Sequence, residues 1–444
     1  MSSAESSRSL TLEPLPHFKP NLYERAWQSI PHPTLPLLAT CHQKSVTIFS
    51  LSTLSAHSSA TAGHERSVRS STWKPNQPPH KLCLVSGSFD STAALWRWED
   101  KGQGADGLEV EITGAENQDD DEDKDWQLIV VLEGHDSEIK SVAFSPTGQY
   151  LASCSRDKSV WIWEDVGASE DDDEWETVAV LNEHDGDVKA VAWCPETNRS
   201  GRGRYSSDVL ASASYDDTVR IWREDGEGDW VCVSVLEGHK GTVWGIQWES
   251  NSQNECFPRL LTWSADKTIR VWTLKEDDEE EEAPKHSWGR LGGIPNTMRR
   301  SLKEEWFCTA ILPTSHTRDI YSAAWSAETG LVASIGSDGI IAVYREDPAE
   351  SAATTTEDEA AAVLDGDMYM TVGQTDIKKP EASRRWKLLS STPNAHGPYE
   401  INHVTWCKRY DNDCEPEKRG IEEMLVTTGD DGLVRPWKVA YAEV

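Results

Sequence analysis

Tryptophan, histidine and aspartate recur in this chain at fixed distances, and that repetition restricts the fold more than any other property. Trp126, Trp175, Trp230, Trp306 and Trp386 are each followed nine or ten residues later by a histidine: His135, His184, His239, His316 and His396. Leu132, Leu181, Leu236 and Leu312 stand six residues past the first four of those tryptophans. Nine residues past a histidine an aromatic closes an apolar run, in the pairs His64/Trp73, His135/Phe144, His184/Trp193, His239/Trp248 and His316/Trp325. A third marker is a small-residue run, an aspartate and an aromatic six residues on: Asp90/Trp96, Asp157/Trp163, Asp216/Trp222, Asp266/Trp272, Asp338/Tyr344 and Asp431/Trp437. Self-similarity of this kind means one supersecondary unit used repeatedly, each copy burying its apolar faces against its neighbours.

Within a unit the segments alternate with period two and are rich in β-branched and aromatic residues, as in Val160-Trp161-Ile162-Trp163 and Val219-Arg220-Ile221-Trp222. They read as short strands, four to a unit. Gly-His before the first strand and Ser-x-x-x-Asp-x5-Trp across the next two resemble the WD40 repeat, whose unit of about 40–45 residues forms one propeller blade. The resemblance covers about residues 20 to 440. It implies an all-β, seven-bladed propeller. A degenerate first unit carries Leu37-Leu38-Ala39 and Val46-Thr47-Ile48-Phe49, with Gln43 in place of the turn aspartate. The 444 residues are therefore expected to form a single propeller over 1–444, not the three domains that length alone suggests. Only seven residues follow Trp437, whereas Leu10–Leu15 is a strand without a blade. The N-terminal strand is expected to complete the last blade and remove its exposed edge.

The repeated polar residues have a structural explanation. His135, Ser153, Asp157 and Trp163 can satisfy one another's hydrogen bonds inside a blade, as can His184, Ser212, Asp216 and Trp222, or His239, Thr262, Asp266 and Trp272. A Ser-His-Asp set invites a hydrolase reading, but copies in successive units cannot all be nucleophilic triads. No catalytic residue is assigned.

If the strands are a to d from the centre outward, the d-to-a and b-to-c turns share one face. All long insertions fall in the other class: residues 98–125, 164–174, 273–305 and 345–385 between c and d, and 194–208, 249–259 and 407–423 between a and b. The acid runs Asp119–Asp123, Glu170–Glu174 and Glu276–Glu282 lie in these insertions. Such runs are expected to be solvated, with a docking role as the alternative. With 76 Asp and Glu against 43 Lys and Arg, the net charge of −33 argues against general binding to nucleic acid or an anionic membrane. No apolar run approaches a spanning helix and no signal peptide is evident, which points to a protein inside the cell. The nine cysteines lack a Cys-x-x-Cys pair, which fits reduced thiols better than disulfides or a zinc site. Cys154 and Cys232 fall on strands, and Cys407 with Cys414 leaves a surface ligand pair open. No cofactor or metal site is expected.

On the short-turn face the charge reverses. Five residues past each histidine, where the inner strand starts beside the channel, stand Arg69, Lys140, Lys189, Trp244 and Tyr321; Phe89, Arg156 and Tyr215 precede turn aspartates on the same face. Cations continued by aromatics suit a partner-binding surface, since Arg, Trp and Tyr dominate binding hot spots. The competing explanation is that they cap the channel and pair with Glu138, Asp187 or Asp319.

The segments from Leu132 to Ala143, Cys154 to Trp163, Ala213 to Trp222 and Gly241 to Trp244 make the resemblance narrower, because they include surface residues that a propeller does not require. They look like the WD-repeat proteins of cytosolic iron-sulfur protein assembly, most strongly over 132–272, with the insertions at 273–305 and 345–385 departing from compact relatives. This resemblance implies a non-catalytic scaffold, cytoplasmic and nuclear, with four kinds of partner: a small acidic adaptor, a HEAT-repeat adaptor, a hydrogenase-like iron-sulfur carrier and apo iron-sulfur clients. A WD40 substrate receptor or chromatin-associated scaffold would share the fold.

Overall fold

The computed structural model describes residues 10–99, 126–167, 174–195, 209–225, 228–250, 258–275, 303–347 and 385–441. The acid runs 119–123 and 276–282, and most of 170–174, lie outside the described residues. Seven four-stranded antiparallel sheets form the blades of a β-propeller. Their inner strands are Ala26–Pro31, Val68–Trp73, Ile139–Phe144, Val188–Trp193, Val243–Trp248, Ile320–Trp325 and Ile401–Lys408, which line the central channel in chain order.

Both faces of a blade are covered, so its second strand is buried nearly throughout rather than alternately exposed. Val209–Ser214 is buried at every position. Leu210 packs with Ala152, Val160 and Ile162 of the preceding blade, whereas its neighbours Val209 and Ala211 pack with Val243, Ile246 and Trp248 of the next. Period two thus hands successive side chains to opposite inter-blade layers.

The tryptophan markers have a packing cause. The aromatic that ends an inner strand meets the one that begins the outer strand of the same blade: Trp73 with Trp126 at 6.0 Å, Phe144 with Trp175 at 5.9 Å, Trp193 with Trp230 at 5.5 Å, Trp248 with Trp306 at 5.8 Å and Trp325 with Trp386 at 5.7 Å between ring centroids. Several also lock neighbouring blades. Trp193 and Trp248 donate their indole N–H groups to the carbonyls of Ala143 and Ala192 on the preceding inner strands. The sequence repeat and the blade are consequently offset by one strand: each Trp-to-Leu segment closes the blade before the one its histidine opens.

The chain termini close the ring. Leu10–Pro14 pairs antiparallel with Val434–Tyr441 over five residues and becomes the outer strand of the last blade. Behind it, Phe18 and Leu22 pack with Phe49, Met424, Val426 and Val434, joining the first and last blades. The third strands of four blades run one or two residues beyond the expected starts of the insertions, to Glu99, Asp165, Leu274 and Asp347. Between the inner strand Ile401–Lys408 and Glu423–Gly429, the connection is ordered around a buried pair: Arg409 donates to Asp411 at 2.7 and 2.9 Å and to Glu422 at 3.2 Å.

Candidate functional site

Six blades contain the polar set. In one, the Trp163 indole donates to Ser153 Oγ at 3.0 Å, the Ser153 hydroxyl lies 2.8 Å from His135 Nε2, and His135 Nδ1 lies 2.8 Å from Asp157. A carboxylate only accepts, so Nδ1 carries the proton and Nε2 accepts from the serine. His184, Ser212, Asp216 and Trp222 repeat the chain with every link at 2.8 Å. His239 and His396 use Thr262 and Thr427 in place of serine, and His316 uses Ser334 with Tyr344 as the aromatic. The first blade, with Gln43 at the turn, instead pairs Ser29 with Thr40 at 2.7 Å. Ser153 and Ser212 are wholly buried, their hydroxyls spent between a tryptophan and a histidine. No substrate carbonyl can approach them, so neither set can act as a nucleophilic triad.

Burial pulls the Asp157 carboxyl upward, yet hydrogen bonds from His135 and Ser159 hold it down at about 2. The same balance lowers Asp90, Asp216, Asp266, Asp338 and Asp431. A carboxyl depressed in the folded state contributes stability above its unfolded pKa and loses it as pH falls toward its folded value. The thermal midpoint is therefore expected to hold from neutrality to about pH 5 and to fall steeply between about pH 4 and 2. Melting curves across a pH series check this, and Asp157→Asn should both lower the neutral midpoint and flatten the acid limb.

The short-turn face is built differently. In every blade the inner strand slips register after its first residue, leaving one residue without a partner: Trp27, Arg69, Lys140, Lys189, Trp244, Tyr321 and Asn402. A β-bulge bends the strand and re-aims the extra side chain. Here seven bulges bring these residues around one channel mouth, where a cavity of about 290 Å³ is lined by all seven together with Arg25, Phe89 and Glu400. An adjoining hollow of about 300 Å³ is lined by Glu138, Lys140, Arg156, Asp187, Lys189 and Tyr215. All eight residues expected on this face, Arg69, Phe89, Lys140, Arg156, Lys189, Tyr215, Trp244 and Tyr321, thus border two connected depressions.

Aromatic rings hold the cations. The Lys140 ammonium sits 4.3 Å from the centroid of Phe89, Lys189 lies 5.6 Å from Tyr215 and 5.4 Å from Trp244, and the Arg69 guanidinium is 5.1 Å from Trp27. Each such contact contributes about 0.5–2 kcal/mol according to its desolvation. The expected pairings also form: Lys140 with Glu138 at 3.5 Å, Lys189 with Asp187 at 3.1 Å, and the Trp244 indole with Asp319 at 3.3 Å. Glu138 serves three cations, since Arg156 approaches it at 3.3 Å and Arg66 at 3.5 Å. Burial lifts its carboxyl, but Lys140, Arg156 and Arg66 bring it below its ordinary value. Arg156 keeps 59% of its side chain exposed despite this contact, and Tyr215 is 62% exposed beside it. Pairing and exposure coexist.

Trp27, Asn402, Arg25 and Arg66 were not among the expected site residues. Counting five residues from a histidine fails for the first two, because the first blade lacks the histidine and Ile401, not Asn402, stands five past His396. The apolar residue just before each bulge would have located them, as in Ala26-Trp27, Val68-Arg69 and Ile401-Asn402.

Cys154 is fully buried and Cys232 half-buried on their strands. Cys407 and Cys414 are buried as well, which corrects the possibility of a surface ligand pair: Cys407 packs with Met424 and Val426, and burial raises both thiols. Among the described residues, no group of three or more His, Cys, Asp or Glu could hold a metal ion, and no helix is long and apolar enough to cross a membrane.

The WD domain, G-beta repeat model matches residues 126–164, 175–223 and 230–273. A protein of Pyricularia oryzae named probable cytosolic iron-sulfur protein assembly protein 1 is 59% identical, with 99% of both chains covered. This chain belongs to the cytosolic iron-sulfur protein assembly protein 1 family. Relatives of the same name from Neurospora crassa and Emericella nidulans are 55% and 40% identical, each covering 98% of this chain and 97% of their own length. The alignments span nearly the whole length of each chain.

Proposed function

We propose that this protein is a non-catalytic scaffold of cytosolic iron-sulfur protein assembly, gathering apo-client proteins and adaptors so that clusters can be inserted. The observation that carries the reading is the full-length relationship to proteins named for that assembly. The short-turn face supplies the chemistry for recognition: exposed Arg156 and Tyr215 over a mouth of aromatic-held cations, on a chain whose overall charge is −33. Such a local inversion of sign steers acidic segments toward one face while the remaining surface repels them. The iron-sulfur cluster is cargo. The partners we assign are a small acidic adaptor, a HEAT-repeat adaptor, a hydrogenase-like iron-sulfur carrier and apo-clients, in cytoplasm and nucleus.

Affinity capture of the tagged full chain from cytosol, followed by identification of bound proteins, tests this. Cluster-assembly factors are the expected product. Recovery of ubiquitin-ligase subunits or histone complexes in their place would make the chain a substrate receptor or chromatin scaffold instead.

A further inference from the structure

The channel mouth contains a charge that nothing around it balances. Arg69 makes no ion pair or side-chain hydrogen bond among the described residues; its one contact of this kind is the face of Trp27. Burial pushes its guanidinium below the ordinary value, and Arg25 adds repulsion. Lys140 is likewise lowered by burial, with Lys189 and Arg69 opposing its charge and Glu138 supporting it. Nearby carboxylates are already shared: Glu138 among Arg66, Lys140 and Arg156, and Asp187 with Lys189. The two hollows are lined by five cations, Arg25, Arg69, Lys140, Arg156 and Lys189, against three carboxylates, Glu138, Asp187 and Glu400, the last accepting from the Tyr321 hydroxyl at 3.2 Å.

An unpaired guanidinium in a partly desolvated site is costly unless a ligand completes it. Its bulge fixes Arg69 at the channel rim, and the rings of Trp27, Phe89 and Trp244 hold the three convergent cations in place. The cavity of about 290 Å³ is large enough for several waters, which an anion could displace. A single carboxylate leaves half of the excess charge in place. A phosphate group carries about −1.5 to −2 charges at neutral pH and offers three strong acceptors.

We propose that Arg69, Lys140 and Lys189 form an oxyanion site at the channel mouth that takes a phosphate-class ligand, either a free phosphate or a phosphorylated side chain presented by a partner. Arg69 is the deep receptor and the two lysines are point charges that close around it. The proposal builds on the short-turn face being the recognition surface.

Pyrophosphate titrated calorimetrically into the full chain at constant ionic strength tests it without any assembly partner. Wild type is expected to bind, and Arg69→Met to bind at least about tenfold more weakly, the loss of one charge-assisted contact. The ligand-free melting midpoint of Arg69→Met should equal or exceed that of wild type, because an unbalanced charge has been removed. A residue that merely caps the channel would show no such split. Lys140→Met provides the same reading should the arginine variant fail to fold. A phosphoserine peptide binding more tightly than inorganic phosphate assigns the anion to a partner segment; weaker binding assigns it to free phosphate. Absence of pyrophosphate binding, or equal binding by Arg69→Met, overturns the site. Since partner capture is measured separately, intact capture alongside that result removes the anion site and leaves the scaffold reading standing.

Discussion

Removal of residues 1–18 lowers the melting midpoint by about 5–10 °C, and a peptide spanning those residues restores it in a concentration-dependent way. The deleted segment contributes the whole outer strand Leu10–Pro14, paired through five positions to Val434–Tyr441. It also contributes Leu10 and Phe18, both nearly inaccessible to solvent. Burial of side chains of this size contributes about 1.5–3 kcal/mol each, and emptying the Phe18 site beside Phe49 leaves a cavity between the first and last blades. A loss of about 5 kcal/mol spread over the roughly 300 described residues gives the stated shift. Differential scanning calorimetry of the truncated and full chains, with and without peptide, measures it. Rescue in trans follows because a ligand that binds only the folded state stabilises by mass action. The truncated protein should also self-associate, since the bared strand offers unpaired backbone groups. An unchanged midpoint would mean that the ring is held by inter-blade packing alone.

This closure was legible in the sequence, and so were the blades. Repetition made both readable: one histidine-to-aspartate chain is no pattern by itself, but the markers around His64, His135, His184, His239, His316 and His396 each predicted the next. The eight site residues could be placed on a common face for the same reason, because a residue at a fixed offset from a repeated marker occupies a fixed position in every blade. The limits were physical as well. The bulges that aim the ring residues depend on inter-strand register, and a one-residue insertion after His396 hid Asn402 while loss of the first histidine hid Trp27. Arg66 escaped because its partner Glu138 belongs to the next blade, a contact between residues 72 positions apart. The isolation of Arg69 was illegible in principle, for it is a statement about which carboxylates fail to reach it. Likewise the fate of Cys407 and Cys414 was set by packing on Met424 and around Arg409, not by their spacing.

Arg156→Glu abolishes capture of an acidic partner or client segment while the melting midpoint moves by no more than about 2 °C. In the free protein Arg156 makes one ion pair at 3.3 Å with more than half of its side chain in solvent, and exposed pairs of this kind contribute about 0–1 kcal/mol. Little stability is at stake. Binding changes that balance. A carboxylate arriving over the hollow between Arg156 and Tyr215 excludes water from the guanidinium, which can grip it with two parallel hydrogen bonds. Truncating one member of such a desolvated pair costs about 2–5 kcal/mol, a roughly thirtyfold to several-thousandfold loss of affinity. Charge reversal goes further, because the new carboxylate would stand beside Glu138 and compete for Lys140 and Arg66. Arg156→Lys should recover binding only in part, since an ammonium supplies the charge without the planar fork. Affinities of the three proteins for the isolated partner segment, measured beside their melting curves, separate recognition from stability. Should the glutamate variant bind like wild type, Glu138 is the true owner of Arg156 and the recognition surface contracts to the mouth around Trp244, Lys189 and Arg69.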